Sequence, residues 1–358
     1  MKTHVQVVQH LRPGGIETMA LDLLANGQTD EKRLIVSLEG NQRQAIEAWP
    51  RLAAFRESLL FLDKQPGLQP AVIRRLVRLF RRHSVDVVHT HHIGPLLYAG
   101  IASRLVPGIR LVHTEHDAWH LDDRRRCRLE RQLVRFTRPV LIADSGTVAD
   151  NMRDKLGIAR PNIIPNGINT DRFTPGDRLE ARKALALPLH ATLIGCSGRL
   201  ELVKGQQVLL DAFSLLDQDY HLVLAGSGSM EQSLRHQATR LGVAHRVHFT
   251  GHLEEMPTFY RALDLYCQPS LNEGLPLAPL EAQSCNIPAV VTDVGGSRET
   301  LSPESGTLVR ANDPQELARV LKTSLAGGRK REPRPFIRGS YDTEAMIASY
   351  QRLYAGAA

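Results

Sequence analysis

Asn272-Glu-Gly-Leu-Pro-Leu-Ala-Pro-Leu-Glu281 lies between a short apolar run at 265–268 and a helical pattern at 277–284. A strand leading through a Gly-Leu-Pro turn into a helix is half of a βαβ unit. Glu273 precedes the helix, and Glu281 sits about two turns inside it. A helix start offers unpaired backbone N–H groups and the positive end of a dipole, which suits a phosphate. Pro276 has no N–H, so Gly274, Leu275 and Leu277 are left to supply donors. Glu281 lies farther along, at a distance suited to a ribose. Two carboxylates bracketing such a turn meet the needs of a nucleotide sugar: one accepts from sugar hydroxyls, the other from ribose hydroxyls. The plainer alternative is an N-cap glutamate and a solvated helix glutamate.

The same rhythm extends in both directions. Upstream, β-branched runs at 5–9, 33–37, 59–62, 86–89, 110–114 and 140–143 alternate with helical patterns at 16–25, 71–82, 95–105 and 147–156. Downstream, strands at 192–196, 221–225, 247–250, 265–268 and 289–292 alternate with helices at 205–215, 230–241, 257–262 and 277–284. Between the halves, Pro161, Pro165, Gly167, Pro175 and Gly176, followed by the charged run 177–182, suit an interdomain crossing. Residues 327–335 read as a basic loop, and 343–354 as a helix with Met346, Ile347, Tyr350, Leu353 and Tyr354 on one stripe. The expected fold class is α/β, with two Rossmann-like, doubly wound parallel sheets facing across a cleft. The two expected domains are residues 1–168 and 169–341, with the helical segment 342–358 after them.

Two other loops share this strand-to-helix position. Ser197-Gly-Arg-Leu-Glu-Leu-Val-Lys-Gly205 carries Arg199 and Lys204, a planar fork and a point charge suited to a diphosphate leaving group. Two surface cations in a loop are the competing explanation. His10-Leu-Arg-Pro-Gly-Gly-Ile16 places Gly14 and Gly15 where backbone can approach a ligand, or where a tight turn needs them. It is not GxGxxG, so NAD is disfavoured, and no GxxxxGK[ST] occurs. Gly226-Ser-Gly228 is a lone GxG and weak by itself.

Histidines cluster at 89, 91, 92 and at 113, 116, 120. With no carboxylate or cysteine at matching spacing, no metal is expected, and His116 and Asp117 are best placed to face a substrate. The 45 Lys+Arg against 38 Asp+Glu leave a net charge of +7. Arg74, Arg75, Arg78, Arg81 and Arg82 share one helical segment, and Arg124, Arg125, Arg126, Arg128, Arg131 and Arg135 form a second run. Such segments can meet an anionic membrane, or simply pack their apolar face on their own sheet. Nucleic acid is not expected, because the basic runs lack interleaved aromatics. Four scattered cysteines, a polar–apolar alternation at the start and no run of about 18 apolar residues point to a reducing, cytoplasmic setting, with attachment to the inner membrane face as an option.

Taken together, these residues resemble the retaining glycosyltransferases of family 4, which have the two-Rossmann GT-B architecture. The most specific match is Glu273…Glu281, the family's Glu-x7-Glu motif. Gly198-Arg199…Lys204-Gly205, Asn166-Gly167-Ile168, Ala225-Gly226-Ser-Gly228, Phe249-Thr-Gly251 and Asp293-Val-Gly-Gly296 are also similar. The resemblance implies that Arg199 and Lys204 hold the diphosphate, Glu273 the donor sugar and Glu281 the ribose. Gly14 and Gly15 would approach the donor, His116 would contact the sugar, and backbone around Gly251 and His252 would meet the base. Pro276 departs from many members, which carry an aromatic and a glycine there. The implied activity is metal-independent, cofactor-free transfer with retention from a nucleoside diphosphate sugar, UDP rather than GDP, to a glycan or lipid-linked acceptor in bacterial polysaccharide synthesis. The acceptor pocket would lie in loops such as 119–128. A nucleotide-sugar epimerase of the same fold is the alternative, and a non-catalytic relative a third.

Overall fold

The computed structural model describes residues 2–26, 31–326 and 332–356. The chain divides into two compact units, Met1–Asn166 with Glu344–Ala358, and Gly167–Thr343. The first unit is built on β1 (Lys2–Val8), β2 (Glu31–Ser37), β3 (Leu59–Phe61), β4 (Val87–His91), β5 (Arg110–Glu115), β6 (Val140–Ala143) and β7 (Asn162–Ile163). All pair in parallel, in the order β3-β2-β1-β4-β5-β6-β7. β1 and β4 are buried on both faces, as expected of a sheet covered by helices on each side. One layer includes helix Pro70–Arg82, whose Val72, Leu76 and Phe80 pack with Val5, Val7 and Val88. Residues 93–104 form one helical passage with a π-type turn at Leu96–Gly100. A side chain at Gly100 would press on Thr137 of helix Arg124–Thr137, so glycine sets that close approach.

The second unit has β8 (Thr192–Ser197), β9 (Tyr220–Ala225), β10 (Val247–Gly251), β11 (Leu265–Gln268), β12 (Ala289–Thr292) and β13 (Thr307–Val309), again all parallel, in the order β10-β9-β8-β11-β12-β13. Its core stacks Leu209, Leu210, Phe213, Leu317 and Leu321 on one sheet face and Phe259, Tyr260, Leu263 and Ile287 on the other.

Two expectations need correction. The charged run 177–182 is not a connecting segment. Asp177 caps helix Arg178–Ala184 by accepting from the Leu179 and Glu180 N–H groups at 2.7 and 3.0 Å, and the buried Arg182 donates to Asp264 at 2.6 Å. The basic loop at 327–335 falls partly outside the described residues, at 327–331, and helix Arg334–Ser340 occupies its end. Helix Thr343–Ala355 buries Met346, Ile347, Tyr350, Leu353 and Tyr354 against Met19, Val87, Val112 and Ile142 of the first unit.

Candidate active site

In the second sheet the strand order reverses between β8 and β11. Loops leaving the carboxyl ends of two such neighbours diverge, and ligands of open α/β sheets bind there. The loop after β8 carries Arg199 and Lys204, and the loop after β11 carries Glu273. They are tied by a hydrogen bond from the Leu271 N–H to the Val203 carbonyl at 2.8 Å. Gly205 has φ +69°, and a Cβ there would strike the Pro269 carbonyl, so only glycine lets the loops close.

This closure brings Lys204 onto Glu273. Lys204 Nζ donates to Glu273 Oε1 at 2.7 Å. The same oxygen accepts from Ser270 Oγ at 2.7 Å and Gln268 Nε2 at 3.0 Å. Tyr266 OH donates to Gln268 Oε1 at 2.5 Å and fixes that amide. Three donors on one oxygen hold the carboxylate in a single orientation and leave Oε2 free of these bonds. Below it, Gly296 N–H donates to the Gly274 carbonyl at 2.8 Å, and Gly295, at φ +52°, lies against the Glu273 carbonyl. Leu275 is anchored among Ile168, Leu280, Ile337 and Tyr341, with Leu277 packed beside it. No side chain caps helix Leu277–Ser284, so its first N–H groups face the loop uncapped. Pro279 joins Pro276 in lacking a donor, which leaves Leu277 and Ala278 as the N–H groups of the first turn.

Arg199 is exposed, and among the described residues its guanidinium makes no hydrogen bond or ion pair. Its backbone is fixed. Gly198 N–H donates to the Ala225 carbonyl and Leu200 N–H to the Ser227 carbonyl, each at 2.9 Å. Gly226 and Gly228 lie directly against the Gly198 and Leu200 backbone, so the lone GxG is a bed for the Arg199 loop. Glu281 has separate partners from Glu273. Its Oε2 accepts from Tyr260 OH at 2.6 Å, and Tyr260 OH also meets Ser197 Oγ at 3.2 Å. Burial pushes the Glu281 carboxyl up, while the Tyr260 hydroxyl and the Arg172 charge oppose that. Gly251 closes β10, its carbonyl accepting from the Gly226 N–H at 2.7 Å, and His252 beyond it is exposed. An arginine, a lysine and an uncapped helix start at one sheet edge can stabilise a dianion, and the two carboxylates can accept from hydroxyls.

Gly14, Gly15 and His116 belong to the first unit. Gly14, with extended φ −170°, precedes helix Gly15–Ala25, which has no side-chain cap either, and both glycines are exposed. His116 is buried, and both its ring nitrogens have protein neighbours: Nε2 meets His91 Nδ1 at 3.0 Å, and Nδ1 lies 3.5 Å from Asn166 Nδ2 and 3.6 Å from Asp144 Oδ2. The expectation of no carboxylate at matching spacing around the histidines needs correction. Glu115 meets His92 at 2.9 Å and His113 at 3.3 Å, and His120 meets Glu130 at 2.7 Å and Asp117 at 3.2 Å. Glu115 and Asp117 flank His116 in the sequence, whereas Glu130 reaches His120 from helix Arg124–Thr137, an approach that histidine spacing does not signal.

The fold and this edge define a glycosyltransferase of the GT-B class. Residues 13–172 match the family described as Glycosyltransferase Family 4, and residues 177–334 match Glycosyl transferases group 1. D-inositol 3-phosphate glycosyltransferase of Corynebacterium urealyticum is 32% identical over 311 residues, 78% of this chain and 69% of that protein. The lipopolysaccharide core biosynthesis mannosyltransferase LpsB of Rhizobium meliloti is 37% identical over 166 residues, 43% and 47% of the two chains. In architecture, HepE of Anabaena, solved with UDP-glucose, superimposes with a TM-score of 0.87 at 22% identity, covering 99% of this chain and 100% of the other. The chain belongs to the family 4 glycosyltransferases.

Proposed function

We propose that the protein transfers a sugar, with retention of anomeric configuration, from a UDP-sugar to a glycan or lipid-linked acceptor of a bacterial polysaccharide. The observation that carries this reading is the pairing of Lys204 with Glu273, beside Arg199 and an uncapped helix start, where the second sheet changes direction. Breaking the anomeric C–O bond leaves positive charge on the sugar and hands an electron pair to the diphosphate. Arg199, Lys204 and the Leu277 and Ala278 N–H groups would bind that developing charge better than the ground state, with no metal needed at the diphosphate. Glu273 would accept from donor-sugar hydroxyls, and Glu281 from the ribose. Attack from the face the diphosphate leaves would let that diphosphate take the acceptor's proton. Gly14 and Gly15 would offer backbone to the donor, His116 would contact the sugar, and Gly251 with His252 would meet the base.

The structures of HepE with UDP and UDP-glucose support a uridine donor, and the LpsB relative supports an envelope acceptor. With the family shown, the epimerase alternative loses its support. Membrane contact through exposed Arg74, Arg78 and Arg82, with Arg75 and Arg81 partly engaged by the Leu62 and Leu105 carbonyls, and through Arg124, Arg125 and Arg126, is the attached partner proposal. The decisive test is NMR of products from UDP-sugars with and without an acceptor extract. Acceptor-dependent transfer with the donor's anomeric configuration kept is expected. Inversion, or stereochemical change of the sugar with no acceptor, would overturn it.

A further inference from the structure

We infer that Ser197 is a positioning residue whose single hydroxyl proton couples Glu281, the carboxylate proposed for the ribose, to Glu273, the one proposed for the donor sugar, a coupling that rests on the transferase reading. Ser197 closes β8. Its Oγ lies 3.2 Å from Tyr260 OH, on helix Met256–Ala262, and 3.2 Å from Tyr266 OH, on β11. Ser197, Tyr260, Tyr266, Gln268 and Ser270 are all buried, so the chain they form is sheltered from water.

The polarity of this chain is forced from both ends. A carboxylate only accepts. At one end Glu273 Oε1 takes the protons of Ser270 Oγ and Gln268 Nε2. With its amide nitrogen turned to Glu273, Gln268 presents Oε1 to Tyr266, whose hydroxyl must donate to it. At the other end Glu281 Oε2 takes the proton of Tyr260 OH. Each tyrosine has then spent its one proton, and its oxygen can only accept from Ser197. Ser197 has one proton for two such acceptors, so it serves one tyrosine at the expense of the other.

A hydroxyl that accepts a hydrogen bond donates a stronger one. Ser197 turned to Tyr260 strengthens the hold on Glu281. Turned to Tyr266, it strengthens the hold on Gln268 and through it on Glu273. Ribose hydroxyls that donate to Glu281 share its charge and reduce what Tyr260 must supply, which releases the Ser197 proton to Tyr266. Nucleotide binding thereby firms the sugar carboxylate, and by reciprocity the Tyr266-facing state favours the nucleotide.

UDP is titrated calorimetrically into the full chain. Tyr266→Phe removes one acceptor and commits Ser197 to Tyr260, so it should weaken UDP binding. In Ser197→Ala the coupling is gone, and Tyr266→Phe acts only by loosening Gln268. Tyr266→Phe should therefore weaken UDP about threefold more in the wild-type background than in Ser197→Ala, the size of a modest coupling within one hydrogen-bond network. The same excess should vanish in Tyr260→Phe, a cycle that leaves Ser197 untouched. Denaturant midpoints of the same variants provide the contrast: a chain with a merely structural role shows its excess there and none in UDP affinity. Equal effects of Tyr266→Phe in all three backgrounds, with UDP bound by wild type, would overturn the coupling and leave the transferase reading standing. No UDP binding by the folded wild type would overturn both.

Discussion

Gly205 is the residue on which the site's geometry depends. Its positive φ and its closeness to the Pro269 carbonyl mean that Gly205→Ala must push apart the loops carrying Lys204 and Glu273. The substitution should cost on the order of 1–3 kcal/mol in chemical denaturation and reduce turnover further than that loss of stability explains. Lys204→Ala and Glu273→Ala should each lower turnover by orders of magnitude while circular dichroism stays native, and wild-type-like rates in both would end the catalytic assignment. His221 and His248 belong to the same scale. Burial lowers both, so the folded ring binds a proton less readily than the unfolded one. Their contribution is therefore present above about pH 6.5 and lost as the pH falls through it. Relative to His221→Gln, the wild type should therefore lose melting temperature from pH 7.5 to 5.5. Glu273, Glu281, Arg199 and Lys204 were legible because each lies in a short loop or helix start next to its strand. Ser270, Gln268 and Tyr260, which orient the glutamates, and Glu130, which meets His120, were not, since ordinary polar residues carry no mark of what folding brings beside them.

At the level of elements, segments with a clear apolar period bounded by turn residues were readable, and elements without a buried face were not. β6, β11, β12 and helix Leu277–Ser284 fall where apolar period and turn residues put them. β7 was missed because its two residues are both exposed and carry no apolar signal, and helix Gln42–Ala48 buries no residue at all. Helix Pro314–Ala326 did bury a stripe, Leu317, Val320 and Leu321, that went unread. The last helix is the element most open to test. Tyr354 OH receives from Gln6 Nε2 at 3.0 Å and meets His89 Nδ1 at 2.7 Å, with Tyr354 itself buried. Tyr354→Phe leaves two buried polar groups without that partner and should destabilise the first unit by about 1–3 kcal/mol, read as a shifted denaturant midpoint with unchanged slope.

For the whole molecule, the +7 charge is distributed unevenly. Helix Arg124–Thr137 exposes Arg125, Arg128 and Arg135 together with Leu129 and Phe136, and Trp119 just before it is also exposed. Helix Pro70–Arg82 exposes its arginines with fewer large apolar residues beside them, Leu68 just before it and Leu105, whose carbonyl accepts from Arg81. No helix among the described residues is long and apolar enough to cross a membrane. Sedimentation with anionic vesicles at low salt should therefore fall when Arg125, Arg128 and Arg135 become Glu, and more than when Arg74, Arg75 and Arg78 do. The central claim is that a nucleoside diphosphate is gripped by the second unit through Arg199 and Lys204. Calorimetric titration of UDP tests it most directly. Wild type should bind, and Arg199→Ala and Lys204→Ala should each weaken binding by roughly tenfold to a hundredfold, the worth of one charged hydrogen bond. Equal affinity in wild type and both variants would contradict it.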